Sequence, residues 1–233
     1  MSTSAMVMLD AFVAPKSLFS QFKPAKKWSW IALLIVLLLT STANFMFLDN
    51  MSPEWIIDQQ LMQAGEMTVA EEKQAKAMIA QTVEHTGTMA AVFSAISLVI
   101  FMAIFAGYYT LAAKTAGADA PKHSYGDWFS FSIWTQMPLL VNTIGFFVLF
   151  ATAASPDLPL TLANYASINQ LFLGLSVGDD FYMFAESLNL FFIWSIVIAG
   201  VGLQKCLNMS VGKSYLIAAL PYLAVFGIWL LFV

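Results

Sequence analysis

Four polar side chains, Gln136, Asn142, Glu186 and Asn189, fall within or beside long apolar runs of this 233-residue chain. Polar groups are costly in hydrocarbon and are kept there for a reason, either bonding a neighbouring helix or lining a solute path. As interhelical glue each contributes about 0.6–2 kcal/mol. As a path, Gln136 and Asn142 would line it from the third apolar run and Asn189 from the fourth, with Glu186 at the outer mouth. Glu186 also joins Asp179 and Asp180 in a carboxylate group of the kind that holds a divalent cation through oxygen. The spacing matches no EF-hand loop, so no metal is expected. Catalytic constellations are missing: there is no G-x-S-x-G, no H-E-x-x-H and no aspartyl pair inside an apolar run. Val211-Gly212-Lys213-Ser214 resembles the end of a phosphate-binding loop, but Leu207 stands where the motif requires glycine. No cofactor is expected, and the chain reads as non-enzymatic.

Composition says what must position these residues. The chain is 60% hydrophobic and 10% charged, with mean hydropathy +0.76. Soluble domains carry about 25% charged residues, so this chain could not cover its apolar surface in water. All ten basic residues are lysines. Without arginine, and with a pI near 5.0, a nucleic-acid partner is not expected. Cys206 is the single cysteine and the two histidines, His85 and His123, are far apart, so neither a disulfide nor a zinc site is expected. Both histidines read as solvated loop residues. Asp10, Pro15 and scattered polar residues interrupt the N-terminus, so no cleavable signal is expected.

The pattern predicts an all-α, polytopic membrane helical bundle with five transmembrane helices and additional interfacial helices. A span needs about 20 mostly apolar residues, and the candidates are residues 28–48, 89–113, 128–154, 186–203 and 214–233. Lys16, Lys23, Lys26, Lys27, Lys114, Lys122, Lys205 and Lys213 share one side; Lys73 and Lys76 take the other. The positive-inside rule then puts the N-terminus in the cytoplasm and the C-terminus outside. Asp10, Asp119 and Asp127 fall inside and the other eleven acids outside.

The connections are unequal. Short cytoplasmic turns pair spans two with three and four with five. Residues 1–27 form a cytoplasmic, interfacial segment, two short turns separated by Pro15 with apolar residues in the headgroup layer. Residues 28–233 form a single membrane domain. Within the external segment 49–88, Ser52-Pro53-Glu54 reads as an N-cap with a first-turn proline, and Thr68 to Glu71 as a capping box. Glu72 and Lys76 are placed to pair at i,i+4. Residues 155–185 are semi-apolar and predict an external short helix, with a re-entrant hairpin as the alternative, ending in the turn Gly178-Asp179-Asp180. Pro138 should free a carbonyl near Trp134 that Gln136 or a neighbouring helix could satisfy. Ala103 with Gly107, and Ala199 with Gly200 and Gly202, should allow close helix approach.

Several stretches resemble the Yip1 family in its short bacterial form. They are Phe12-Val13-Ala14-Pro15-Lys16-Ser17-Leu18-Phe19, Gly107-Tyr108-Tyr109, Ser124-Tyr125-Gly126-Asp127, Ser167-Ile168-Asn169, Leu190-Phe191-Phe192-Ile193-Trp194 and Met209-Ser210-Val211-Gly212-Lys213-Ser214. The resemblance implies five spans, a bacterial inner membrane and no catalytic residues. Eukaryotic members act in Golgi trafficking with small Rab-type GTPases, but their long cytosolic arm and Asp-Leu-Tyr-Gly-Pro signature are not found here. The expected function is non-enzymatic organisation of the lipid bilayer, either as a homo-oligomer or with membrane protein partners. The alternative is an oligomeric transporter or channel for a small solute or lipid.

Overall fold

The computed structural model describes residues 4–65, 67–117 and 120–232; Asp119, one of the acids assigned to the cytoplasmic side, and Val233, the end of the last expected span, lie outside them. The described residues are helical, without a strand ladder. In order come α1 (Ser4–Val13), α2 (Pro15–Ser20), α3 (Phe22–Asp49), α4 (Pro53–Ala64), α5 (Val69–Ala80), α6 (Thr86–Ala112), α7 (Tyr125–Thr135), α8 (Pro138–Ala151), α9 (Tyr182–Ser187), α10 (Leu190–Leu207) and α11 (Val211–Trp229). Five helical stretches are long and apolar enough to cross a membrane: Phe22–Asp49, Val83–Thr115, Tyr125–Ala151, Leu190–Leu207 and Val211–Trp229.

Two of these spans differ from the expected ones. The third is two helices, α7 and α8, joined by a turn at Gln136 and Met137. Pro138 has no N–H to return to Trp134, so the chain tightens and restarts. The Gln136 N–H donates to the Ser132 carbonyl (3.1 Å) and the Met137 N–H to the Trp134 carbonyl (3.4 Å). The freed carbonyl is thus met by backbone, and the Gln136 side chain goes elsewhere. The fourth span begins at Leu190, not Glu186, because Leu188 is extended (φ −81°, ψ 96°) and separates α9 from α10.

The chain divides into two compact units. The first comprises Met1–Leu37, Ser97–Val141 and Phe191–Phe232. Its centre is closely packed and aromatic, with Met102, Tyr109, Trp128, Phe131, Trp134 and Met137 each at most 1% exposed. The N-terminal helices join this core through Ala11, Leu18, Phe19 and Phe22, while Leu9 and Val13 stay exposed. Phe19 lies 5.1 Å from Phe131, centroid to centroid, and a Cβ on Gly202 would come within 3 Å of both rings. Gly200 is similarly filled by Tyr215. Gly107, by contrast, faces open space, so the close approach expected there is not made. Asp127 closes a capping box with Ser124 and pairs with Lys26 at 2.6 Å. His123 is not a solvated loop residue: its Nε2 sits 2.9 Å from the Cys206 carbonyl, and its ring meets Phe22 and Trp128 edge-on.

The second unit comprises Leu38–Ile96 and Asn142–Leu190. Its core gathers Ala43, Phe47, Met51, Ile56, Ile57, Val83 and Phe146. Ser52 caps α4 by accepting from the Trp55 N–H, and the Thr68–Glu71 capping box opens α5, both as the sequence predicts. The Glu71 carboxyl is held below its ordinary value by the Thr68 hydroxyl and N–H. Glu72 and Lys76 do not close an ion pair; among the described residues that role falls to Lys26 and Asp127. None of the residues of α5 is buried. By sequence, the first unit holds eight lysines and three acids, and the second two lysines and eleven acids.

Candidate functional site

The second unit places its polar chemistry in residues 155–190. Pro156 and Pro159 prevent α8 from continuing. Asp157 accepts from both the N–H (2.8 Å) and hydroxyl (3.0 Å) of Ser52, and Trp55 Nε1 donates to the Leu158 carbonyl at 2.8 Å. The start of α4 is therefore stitched to the segment that follows α8. A short 3₁₀ turn, Leu160–Asn164, leads to Tyr165. Its hydroxyl donates to the Asn142 carbonyl (3.3 Å) and fills the space left by the missing side chain of Gly145. Burial raises the Tyr165 pKa.

The chain then meets the residues that precede α10. The Ile168 N–H donates to the Leu188 carbonyl (2.8 Å) and the Leu190 N–H to the Ala166 carbonyl (3.0 Å), making one antiparallel bridge between Ser167 and Asn189. A single π turn, Asn169–Leu173, ends at Gly174 in the left-handed region (φ 62°). Glycine meets that conformation without a Cβ penalty. In place of one short external helix, residues 155–185 hold two five-residue helical turns, with a single bridge beside them.

This scaffold encloses Glu186. The side chain is 5% exposed, and neutral donors surround its carboxyl group. Ser167 Oγ donates to Oε2 at 3.3 Å, and Asn169 Nδ2 to Oε1 at 2.9 Å. Gln170 Nε2 donates to Oε1 as well. Asn169 is itself locked, accepting from the Leu175 N–H (2.7 Å) and donating to the Leu175 carbonyl (3.2 Å). Such a cage suits a buried acceptor, since an unpaired buried carboxylate is heavily penalised. It does not suit a cation, which would face N–H and O–H donors. Asp179 is occupied separately, accepting from the Ser176 N–H at 2.7 Å. The three acids grouped in sequence are therefore not one ligand set.

Beside the cage lies an open groove of about 770 Å³. Trp55, Gln59, Gln63, Thr161, Gln170 and Tyr182 supply its aromatic and hydrogen-bonding lining. Tyr182 precedes Glu186 by one turn of α9, and its pKa is raised first by burial and then by the Glu186 charge.

The remaining expected residues are dispersed. Gln136 belongs to the first unit, 1% exposed, and donates from Nε2 to Tyr222 Oη at 3.0 Å. Its Oε1 has no partner, and neither do Trp134 Nε1 or Ser195 Oγ in the same unit. Asn142 is half-buried in the second unit with Oδ1 unpartnered. Asn189 sits at the bridge with Ser167, not within a span. Ser167, Asn169, Gln170 and Tyr182 were not singled out by composition or spacing as site residues. The available signal was the hydroxyl and amide pattern Ser167-x-Asn169-Gln170 in a semi-apolar stretch too short to span.

The Yip1 domain family model matches residues 9–233, nearly the whole chain. The chain belongs to the Yip1 family. Comparison with curated proteins and with solved structures finds no match. Seen as a Yip1 domain, the stretches Ser124–Asp127 and Ser167–Asn169 acquire physical roles. The first is the α7 cap that engages Lys26, and the second supplies two donors to the cage.

Proposed function

We propose that this Yip1 family membrane protein is non-enzymatic and organises the bilayer or partner proteins by associating through its spans. The observation that carries the reading is the outward surface of α11, of whose apolar stretch only 11% is buried within the chain. Leu216, Leu220 and Leu223 repeat along it, each about half exposed or more. In hydrocarbon, association comes from van der Waals packing and lipid entropy rather than from burial out of water, so a regular leucine surface suits a second helix. The division of charge, with eight lysines in the first unit, supports a cytoplasmic N-terminus. The stretches that resemble the family's short bacterial form suit a bacterial inner membrane. The test is disulfide cross-linking in native membranes of Leu223→Cys in a Cys206→Ser background. Dimers that vanish when the cysteine is moved to exposed Lys122 support the reading; monomer at every α11 position overturns it.

A second reading, a solute path through spans three and four, draws on the unpartnered oxygens of Gln136 and Asn142. The closely packed aromatic centre of the first unit weighs against it. Asn142→Leu and Glu186→Gln would abolish solute flux in proteoliposomes under that reading and leave it unchanged under the first.

A further inference from the structure

We infer that the groove beside Glu186 binds a neutral saccharide. Its lining combines one flat aromatic surface with side-chain amides and hydroxyls, and none of its described lining residues is Asp, Glu, Lys or His. Trp55 has already spent its indole N–H on Leu158, so its ring offers the groove only a carbon surface. The C–H face of a pyranose stacks on such a ring while its hydroxyls turn to the polar groups. Those groups are at hand. Gln59 uses its Oε1 to accept from the Leu160 N–H, which leaves its amide N–H groups for a ligand. Gln170 directs its Nε2 to Glu186, which turns its carbonyl oxygen away from the carboxyl as a fixed acceptor. The cage thereby orients a groove residue, and Glu186 acts through Gln170 as a positioning residue.

Tyr182 adds a hydroxyl to this lining. Its ring is largely buried, at 6% exposed, it lines the groove, and its hydroxyl makes no hydrogen bond among the described residues, which leaves it open to a ligand. A charged sugar is disfavoured because the lining lacks a counter-charge and the unit carries eleven acids to two lysines. A peptide strand is disfavoured because the extended residues nearby already pair with each other. The volume of about 770 Å³ accommodates one or two sugar rings.

The test uses full-length protein in nanodiscs, since maltoside detergents would themselves compete. Calorimetric titration with maltose, glucose and N-acetylglucosamine forms one arm, and nanodiscs containing a digalactosyl lipid the other, which separates a free sugar from a lipid headgroup. Saturable binding in either arm is expected, with glucuronate weaker than glucose. Tyr182→Phe and Gln63→Ala remove no protein–protein hydrogen bond, so melting should not change, while affinity should fall about tenfold for each lost bond. No binding in both arms, or binding that both variants leave intact, would overturn the inference.

Discussion

Replacing Glu186 by glutamine keeps the shape of the side chain and reverses the sense of half its hydrogen bonding. In the cage Oε1 accepts from Asn169 and Gln170, and Oε2 from Ser167. The amide of glutamine can present its carbonyl to one side only. Gln170 is exposed and can turn to water, but Ser167 and Asn169 are 0% and 2% exposed and cannot. With the carbonyl toward Asn169, the NH₂ meets Ser167 Oγ, a hydroxyl that can accept instead of donate, so the loss is the charge-assisted acceptor and the outlet of one buried hydroxyl proton. A destabilisation of about 1–3 kcal/mol is expected for Glu186→Gln. The pair Asn169→Asp with Glu186→Gln restores donor-to-acceptor matching across the 2.9 Å contact. It should recover part of that loss, whereas Asn169→Asp alone sets two carboxyls together and should be worse than either. The assay is a double-mutant cycle on unfolding in mixed micelles, read by tryptophan fluorescence. If Glu186→Gln melts like the parent and the cycle shows no coupling, the carboxyl group is not the acceptor that organises residues 167–170.

Packing and capping set the other expectations. Gly202→Ala should destabilise by about 1–3 kcal/mol, because its Cβ would meet Phe131 at 2.5 Å and Phe19 at 2.9 Å; Gly107→Ala, in open space, should stabilise by up to about 1 kcal/mol. Thermal melts of the two variants should move in opposite directions. Asp127→Ala removes the reciprocal half of the α7 capping box and the Lys26 pair and should cost about 0.5–2 kcal/mol, with Asp127→Asn, which keeps an acceptor for the Ser124 N–H, milder. The Glu71 carboxyl is held low in the folded chain by Thr68, so its contribution is present above the unfolded carboxylate pKa and lost as pH falls through the folded one. Amide exchange in the first turn of α5 should therefore be steady near neutrality and rise on acidification below the usual carboxylate range, and Thr68→Ala should remove that dependence. A cysteine at Lys73 should react with impermeant thiol reagents from the face opposite one at Lys122.

What could be read from sequence was local or averaged. The caps at Ser52 and Thr68 are bonds to the third residue onward, so their spacing is written in the chain. The spans follow from hydropathy summed over about 20 residues, which tolerates errors at single positions. The Glu186 environment was not legible because its donors lie 16 to 19 residues upstream. The break at Leu188 that turns the carboxyl into them is a conformational choice made by the bridge between Ala166–Ile168 and Leu188–Leu190. His123 is similar: its partner is a carbonyl 83 residues away. Gly107 and Gly202 look alike in sequence, and only packing tells which one has a ring against it.

The break before Leu190 also limits the length of α10, and α11 is nearly as short. α10 has 18 residues and α11 has 19, whereas α3 has 28. At about 1.5 Å per residue the last two reach about 27–29 Å, and α3 about 42 Å, against a hydrocarbon layer of about 30 Å. The long helix can lean to fit, but the short pair leaves no slack, and lipid beside it must compress or the flanking residues must stretch to the interface. A molecule that carries both lengths is most at ease where the bilayer is already thin. Raising acyl-chain length in reconstituted bilayers should therefore drive these proteins together.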